Sequence, residues 1–152
     1  MPTIVSYRKF IDATVTREIK LPEDPATRAR VGNELATIEG VTYCYLPDGA
    51  TLPTDQPAEI AASVQAVTLT DALRESIKAA SPHVRLIAAR TQEKIRAAYP
   101  LEEELYLARI AVGALRGTYT LQTSESAQLG AYQTFVESVR EWGRAERAKL
   151  GL

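Results

Sequence analysis

Three consecutive glutamates, one histidine and one cysteine are the residues of this chain with the clearest capacity for chemistry. Glu102-Glu103-Glu104 offers carboxylates for acid–base work or for a hard cation, His83 is the lone imidazole and Cys44 the lone thiol. Successive residues of a helix point about 100° apart, so three adjacent carboxylates do not converge on one atom. Their position just after Pro100 suits the first turn of a helix, where the positive end of the dipole favours carboxylates. His83 follows Pro82 at a helix start without HExxH or a comparable spacing, and reads as a surface histidine. Cys44 lies between Tyr43 and Tyr45 in an expected strand. A thiol there, with no base or helix N-terminus to lower its pKa, behaves as a small hydrophobe. No G-x-S-x-G elbow, P-loop or G-x-G-x-x-G sequence occurs. No catalytic residue, cofactor-binding residue, metal ligand or cofactor is therefore assigned. The chain is expected to bind something, and not to be an enzyme.

The elements that would hold these residues divide the chain into halves of different character. Six of the eight prolines fall between Pro2 and Pro57. There Thr14–Leu21 alternates, with Val15, Ile19 and Leu21 on one side, and predicts a half-buried edge strand interrupted by Arg17. Val41–Leu46 is rich in β-branched and aromatic residues and sits between Gly40 and Pro47-Asp48-Gly49, which predicts a second strand. Ala50–Pro57 reads as an extended surface connection, and Val64–Leu69 either as a short strand or as the lead-in to a helix. From Thr70 onward the pattern is helical. Thr70 is an N-cap for a helix carrying Leu73 and Ile77, Ser81-Pro82 opens a second helix, and Tyr99-Pro100 closes that one and starts a third. Gly113–Gly117 ends the third, Thr118–Thr123 connects, and the longest helix runs from Ser124 to about Lys149.

Apolar residues mark the faces of these helices: Val84, Ile87, Thr91, Ile95 and Ala98; Leu101, Leu105, Ala108, Val112 and Leu115; Leu129, Tyr132, Val136, Val139 and Gly143. The fold class expected is α+β, a β-rich part over residues 1–69 followed by an antiparallel helical part over 70–152. Tyr132, Phe135, Val139 and Trp142 on the last helix are the candidate interface, since aromatic residues at this spacing serve equally as core or as contact anchors.

Composition narrows the function classes. At 152 residues the chain is about one domain long, with 45% apolar and 24% charged residues. Nineteen acidic residues against 18 basic ones leave a formal charge of −1, without the basic excess of a nucleic-acid binder. One cysteine excludes an intrachain disulfide and a thiolate zinc site. The start of the chain lacks the pattern of a secretory signal and no stretch approaches the ~20 apolar residues of a membrane span, so a soluble product made in the cytoplasm is expected.

Two segments carry a family resemblance. Ile95-Arg96-Ala97-Ala98-Tyr99-Pro100-Leu101-Glu102-Glu103-Glu104-Leu105 and Ala131-Tyr132-Gln133-Thr134-Phe135-Val136-Glu137-Ser138-Val139-Arg140-Glu141-Trp142-Gly143-Arg144 resemble the C-terminal helical module of small tailed-bacteriophage structural proteins from the tail-fibre and baseplate region. Gly40-Val41-Thr42-Tyr43 through Leu46-Pro47-Asp48-Gly49-Ala50-Thr51-Leu52-Pro53 is similar to their proline-punctuated centre, so the likeness spans residues 34–151. It implies a virion tail component made in the host cytoplasm, with other tail or fibre proteins as partners and neither nucleic acid nor membrane. An assembly chaperone for fibres is the alternative, and a free-standing intracellular adaptor comes third. No catalytic residues come with the family. The resemblance also points to a homo-oligomer of three chains, which agrees with a last helix of about 39 Å, long for one such domain.

Overall fold

The computed structural model describes residues 3–152. Among these residues the fold is α+β, in the order β1 (Thr3–Tyr7), β2 (Asn33–Ile38), β3 (Val41–Leu46), α1 (Ala58–Ala61), β4 (Gln65–Val67), α2 (Asp71–Ala80), α3 (Pro82–Ala98), α4 (Leu101–Leu115) and α5 (Thr123–Ala148). The strands make one antiparallel sheet in the order β2-β3-β1-β4. Two compact units are distinguished: one holds the described residues through Arg85 together with Arg147–Leu152, the other Leu86–Glu146.

The sheet unit is organised around β3. Its alternation buries Thr42, Cys44 and Leu46 on one side and leaves Val41, Tyr43 and Tyr45 half-buried on the other. β2 and β3 form a hairpin whose two turn residues, Glu39 and Gly40, both have positive φ (50° and 79°). That geometry matches the twist of the flanking strands. Val5, Tyr7, Ile19, Cys44, Leu46 and Ile60 make the core under the sheet, with Leu21, Ala50, Leu52 and Val64 packed against it. β2 lies at one edge, carries an irregularity in register between Glu34 and Ala36, and packs against α2; β4 lies at the other edge and is three residues long.

Thr14–Leu21 is not a strand, which corrects the expectation from its alternation. The burial half of the pattern holds, since Ile19 is buried and Val15 and Leu21 are half-buried. The backbone finds other partners: the Lys20 N–H donates to Gln56 Oε1 (2.9 Å), Gln56 Nε2 donates back to the Lys20 carbonyl (2.9 Å), and Thr16 makes only an isolated bridge to Phe10. Prolines at 22, 25, 53 and 57 crowd this region and deny it a neighbouring ladder. A glutamine side chain takes the place of a strand. β1 and β2 were not anticipated, and Val64–Leu69 contains a short strand, β4.

The starts of α2, α3 and α4 are as expected, whereas α1 was not anticipated and α5 begins one residue earlier than Ser124. Thr70 Oγ1 accepts from the Leu73 N–H at 3.2 Å, and Ser81 Oγ from the Val84 N–H at 3.5 Å. Gly117, at φ 71°, follows the end of α4, where the Thr118 and Tyr119 N–H groups return to the Gly113 carbonyl.

Within the helical unit, α5 meets α3 and α4 in reverse order. Glu125 pairs with Tyr106, Tyr132 with Glu104, Tyr132 and Phe135 with the Tyr99 ring, and Trp142 with Lys94. α5 therefore runs antiparallel along both helices, while α3 and α4 share one direction as two segments of a rod broken at Tyr99-Pro100. The break is chemical: Pro100 has no N–H to continue the ladder and disfavours helical φ, ψ at Tyr99. No helix among the described residues is long and apolar enough to cross a membrane.

Candidate interaction surface

The residues with chemical potential are dispersed or already engaged. Glu102 and Glu103 are exposed, while Glu104 turns inward, accepts from Tyr132 Oη at 2.9 Å and pairs with Arg96 at 3.0 Å. His83 is exposed near the start of α3, and no group of three or more His, Cys, Asp or Glu among the described residues could hold a metal ion.

Cys44 sits fully buried on β3, beneath a cavity of about 190 Å³ that Tyr7 and Glu34 also line. Glu34 accepts from Tyr7 Oη (3.3 Å) and twice from Lys9 Nζ (2.9 and 3.1 Å), so its charge is neutralised in place. Burial pushes the Cys44 thiol up to about 12, Glu34 adds to the effect, and Lys9 opposes it. A thiol in that state stays protonated at neutral pH and is a poor nucleophile. Cys44 should therefore resist a disulfide exchange reagent in the native protein and react fully once the chain is unfolded in urea. Rapid native reaction would show that the site is open. This cluster is not legible from the residues alone, because β1 and β2, which supply Tyr7 and Glu34, lack a readable strand pattern.

A second network closes the far end of the helical unit. Glu125 Oε1 accepts from Tyr106 Oη and Tyr119 Oη, both at 2.6 Å, and Oε2 from the Gln122 N–H at 2.9 Å. These bonds, that from Tyr106 foremost, hold the Glu125 carboxyl below its ordinary 4.5, and the bond that Tyr119 itself donates to Glu125 pushes its hydroxyl up to about 12. Three donors thus meet one carboxylate, and the network works as a clasp between α4 and the start of α5.

The candidate interface residues are also taken up inside the unit. Val139 is buried and Tyr132, Phe135 and Trp142 are half-buried. The Tyr132 ring meets Tyr99 edge-on at 5.0 Å, Phe135 lies 5.5 Å from the same ring, and Lys94 Nζ sits 4.8 Å above Trp142. This face of α5, with Leu129, Val136 and Gly143, is the packing face against α3 and α4.

The free apolar surface lies on α4. Its inner face consists of the buried Leu107 and Ile110 with Glu104, Ala111 and Ala114 beside them. The stripe expected to be core points the other way: Leu101, Leu105, Val112 and Leu115 are 46%, 61%, 51% and 89% exposed, with the exposed Ala108 among them. The reason is geometric. A unit in which one helix returns along a two-part rod can cover a single side of that rod, and α5 covers the side with Leu107. Scattered exposed leucines are ordinary, but five aliphatic positions in one row form a continuous patch of the kind that marks contact sites. In the sheet unit, Phe10 and Ile11 are exposed as well, side by side in a loop.

No protein-family model matches the chain, and the searches of curated proteins and of solved structures find nothing similar to it.

Proposed function

We propose that the protein is a structural component of a bacteriophage tail, at the baseplate or the tail-fibre attachment, and that it works through protein–protein contact. The observation that carries the contact role is the exposed aliphatic row of α4, the longest run of exposed aliphatic residues on the helical unit, whose α5 aromatic face is turned inward. The place of action comes from the likeness of Ile95–Leu105 and Ala131–Arg144 to small tail proteins. Its partners on this reading are other tail or fibre proteins, and its location is the virion tail. The clustered polar groups support the same reading: Glu34, Glu104 and Glu125 are each bound by side chains of this chain, an arrangement that stiffens a scaffold.

The test is mass spectrometry of purified particles from the phage that encodes the chain. Stoichiometric presence is the expected result. Absence from particles, with co-purification of a fibre protein from infected cells, would replace this reading with that of a fibre-assembly chaperone. Recovery with neither would remove both.

A further inference from the structure

The exposed row of α4 has a spacing that specifies more than stickiness. Leu101, Leu105, Ala108, Val112 and Leu115 follow one another at intervals of four, three, four and three residues. This is the heptad repeat of a helix seam that faces another helix along its length, and it continues through all 15 residues of α4, about 22 Å. Ala108 at the centre lets a second backbone approach closely.

The charges beside the seam decide the orientation. Glu102 flanks it at the N-terminal end, Arg109 flanks it near the middle and Arg116 follows the C-terminal end, all three on one side of the seam. Two copies of α4 placed parallel would set acidic end on acidic end. The one glutamate at the other flank, Glu104, is already bound to Arg96 and Tyr132 and is not available to a parallel partner. Turned antiparallel, the acidic end of each copy lies along the basic part of the other, and the two helix dipoles oppose. A two-fold axis between Leu105 and Ala108 then puts Leu101 over Val112 and Leu105 over Ala108, and brings Glu102 of each copy beside Arg109 of the other. Beside the row, Glu102, Leu105, Tyr106 and Arg109 line a shallow groove of about 360 Å³.

We propose that the α4 row docks antiparallel on the same row of a second copy of this chain, making a two-fold dimer. The inference names the partner of the α4 face; it rests on the reading of that face as a contact surface and not on where the assembly is used. It also departs from the threefold association that the likeness to tail proteins implies, because a parallel trimer would gather the glutamate-rich ends of three helices.

The experiment is light scattering of the purified full-length chain over a concentration series, with circular dichroism as a check of folding. The chain should have twice the monomer mass at the upper end of the series. Leu105→Glu should leave helicity unchanged, since Leu105 is 61% exposed, and give a monomer. Glu102→Arg and Arg109→Glu should each raise the dissociation constant about tenfold by turning two attractive pairs into repulsive ones. The double variant should restore affinity, which an unspecific hydrophobic contact would not do. A monomer at every concentration, a trimer, a dimer indifferent to Leu105→Glu, or a double variant no tighter than the singles would each overturn the proposal. None of these results bears on particle content, and absence from particles would leave the dimer standing.

Discussion

Leu107→Ala should cost the helical unit about 3 kcal/mol, within the usual 2–5 kcal/mol for a buried leucine, while Leu105→Ala, two residues away, should change it by less than about 0.5 kcal/mol. Leu107 is 1% exposed and Leu105 is 61% exposed. Two residues are about 200° of helix, so the pair reports on opposite faces of α4. Alanine keeps helix propensity high, which leaves the lost packing and the cavity as the source of the difference. Urea unfolding followed by the fluorescence of Trp142, the single tryptophan, reads the helical unit directly. The measurement belongs at dilutions where self-association through Leu105 makes no contribution. Equal costs for the two variants, or a larger cost for Leu105→Ala, would mean that α4 is turned the other way.

In the sheet unit the largest effect expected from a single methyl group is at Gly32. Its φ of 108° lies where side chains are strained, and a Cβ there would stand 2.5 Å from the Tyr45 carbonyl oxygen. Backbone cannot swing aside as a side-chain tip does, so the β2–β3 pairing would have to open. Gly32→Ala should therefore cost about 2–4 kcal/mol. Gly49→Ala is the control: φ is 79° but nothing lies within 4 Å of the added Cβ, so only the backbone term of about 1 kcal/mol remains. Thermal melts should show the first variant lower by about 10 °C or more and the second by a few degrees. The Cys44 thiol, buried on the strand against which Gly32 rests, should become reactive in the first variant only. Equal melting points would dismiss the clash at Tyr45.

The helix boundaries were legible because their punctuation is local. A threonine or serine cap, a proline at the first helical position and a glycine past the last turn each act within about one turn, and Thr70, Ser81-Pro82 and Gly117 did so here. Faces were harder. α5 has one apolar side, and the residues named there as a candidate interface are its packing face; α4 has two, and the side richer in aliphatic residues is the outer one. Its inner side is disguised by Glu104, whose charge is answered by Arg96 from α3, and by the small Ala111 and Ala114. That pairing depends on a neighbour that no periodicity reveals. The same applies to β2, where Asn33, Glu34 and Thr37 look like loop residues. Glu34 is bonded by Lys9 and Tyr7, and Thr37 by the Thr42 hydroxyl at 2.8 Å. The alternation in Thr14–Leu21 reported burial faithfully and pairing wrongly, since a half-buried extended segment needs a floor beneath it but no neighbouring strand.

The two open margins of the sheet bear on how such a protein behaves when many copies gather in one place. β4 exposes backbone along three residues only, too short a template for another chain to extend. β2 is bent by its irregularity at Glu34 and Ala36 and has α2 against it. Neither margin presents the long, flat row of unpaired amides from which cross-β fibrils and swapped strands grow. Crowding these molecules together should thus lead to ordered helix contacts, and the route to insoluble polymer through the sheet is closed at both ends.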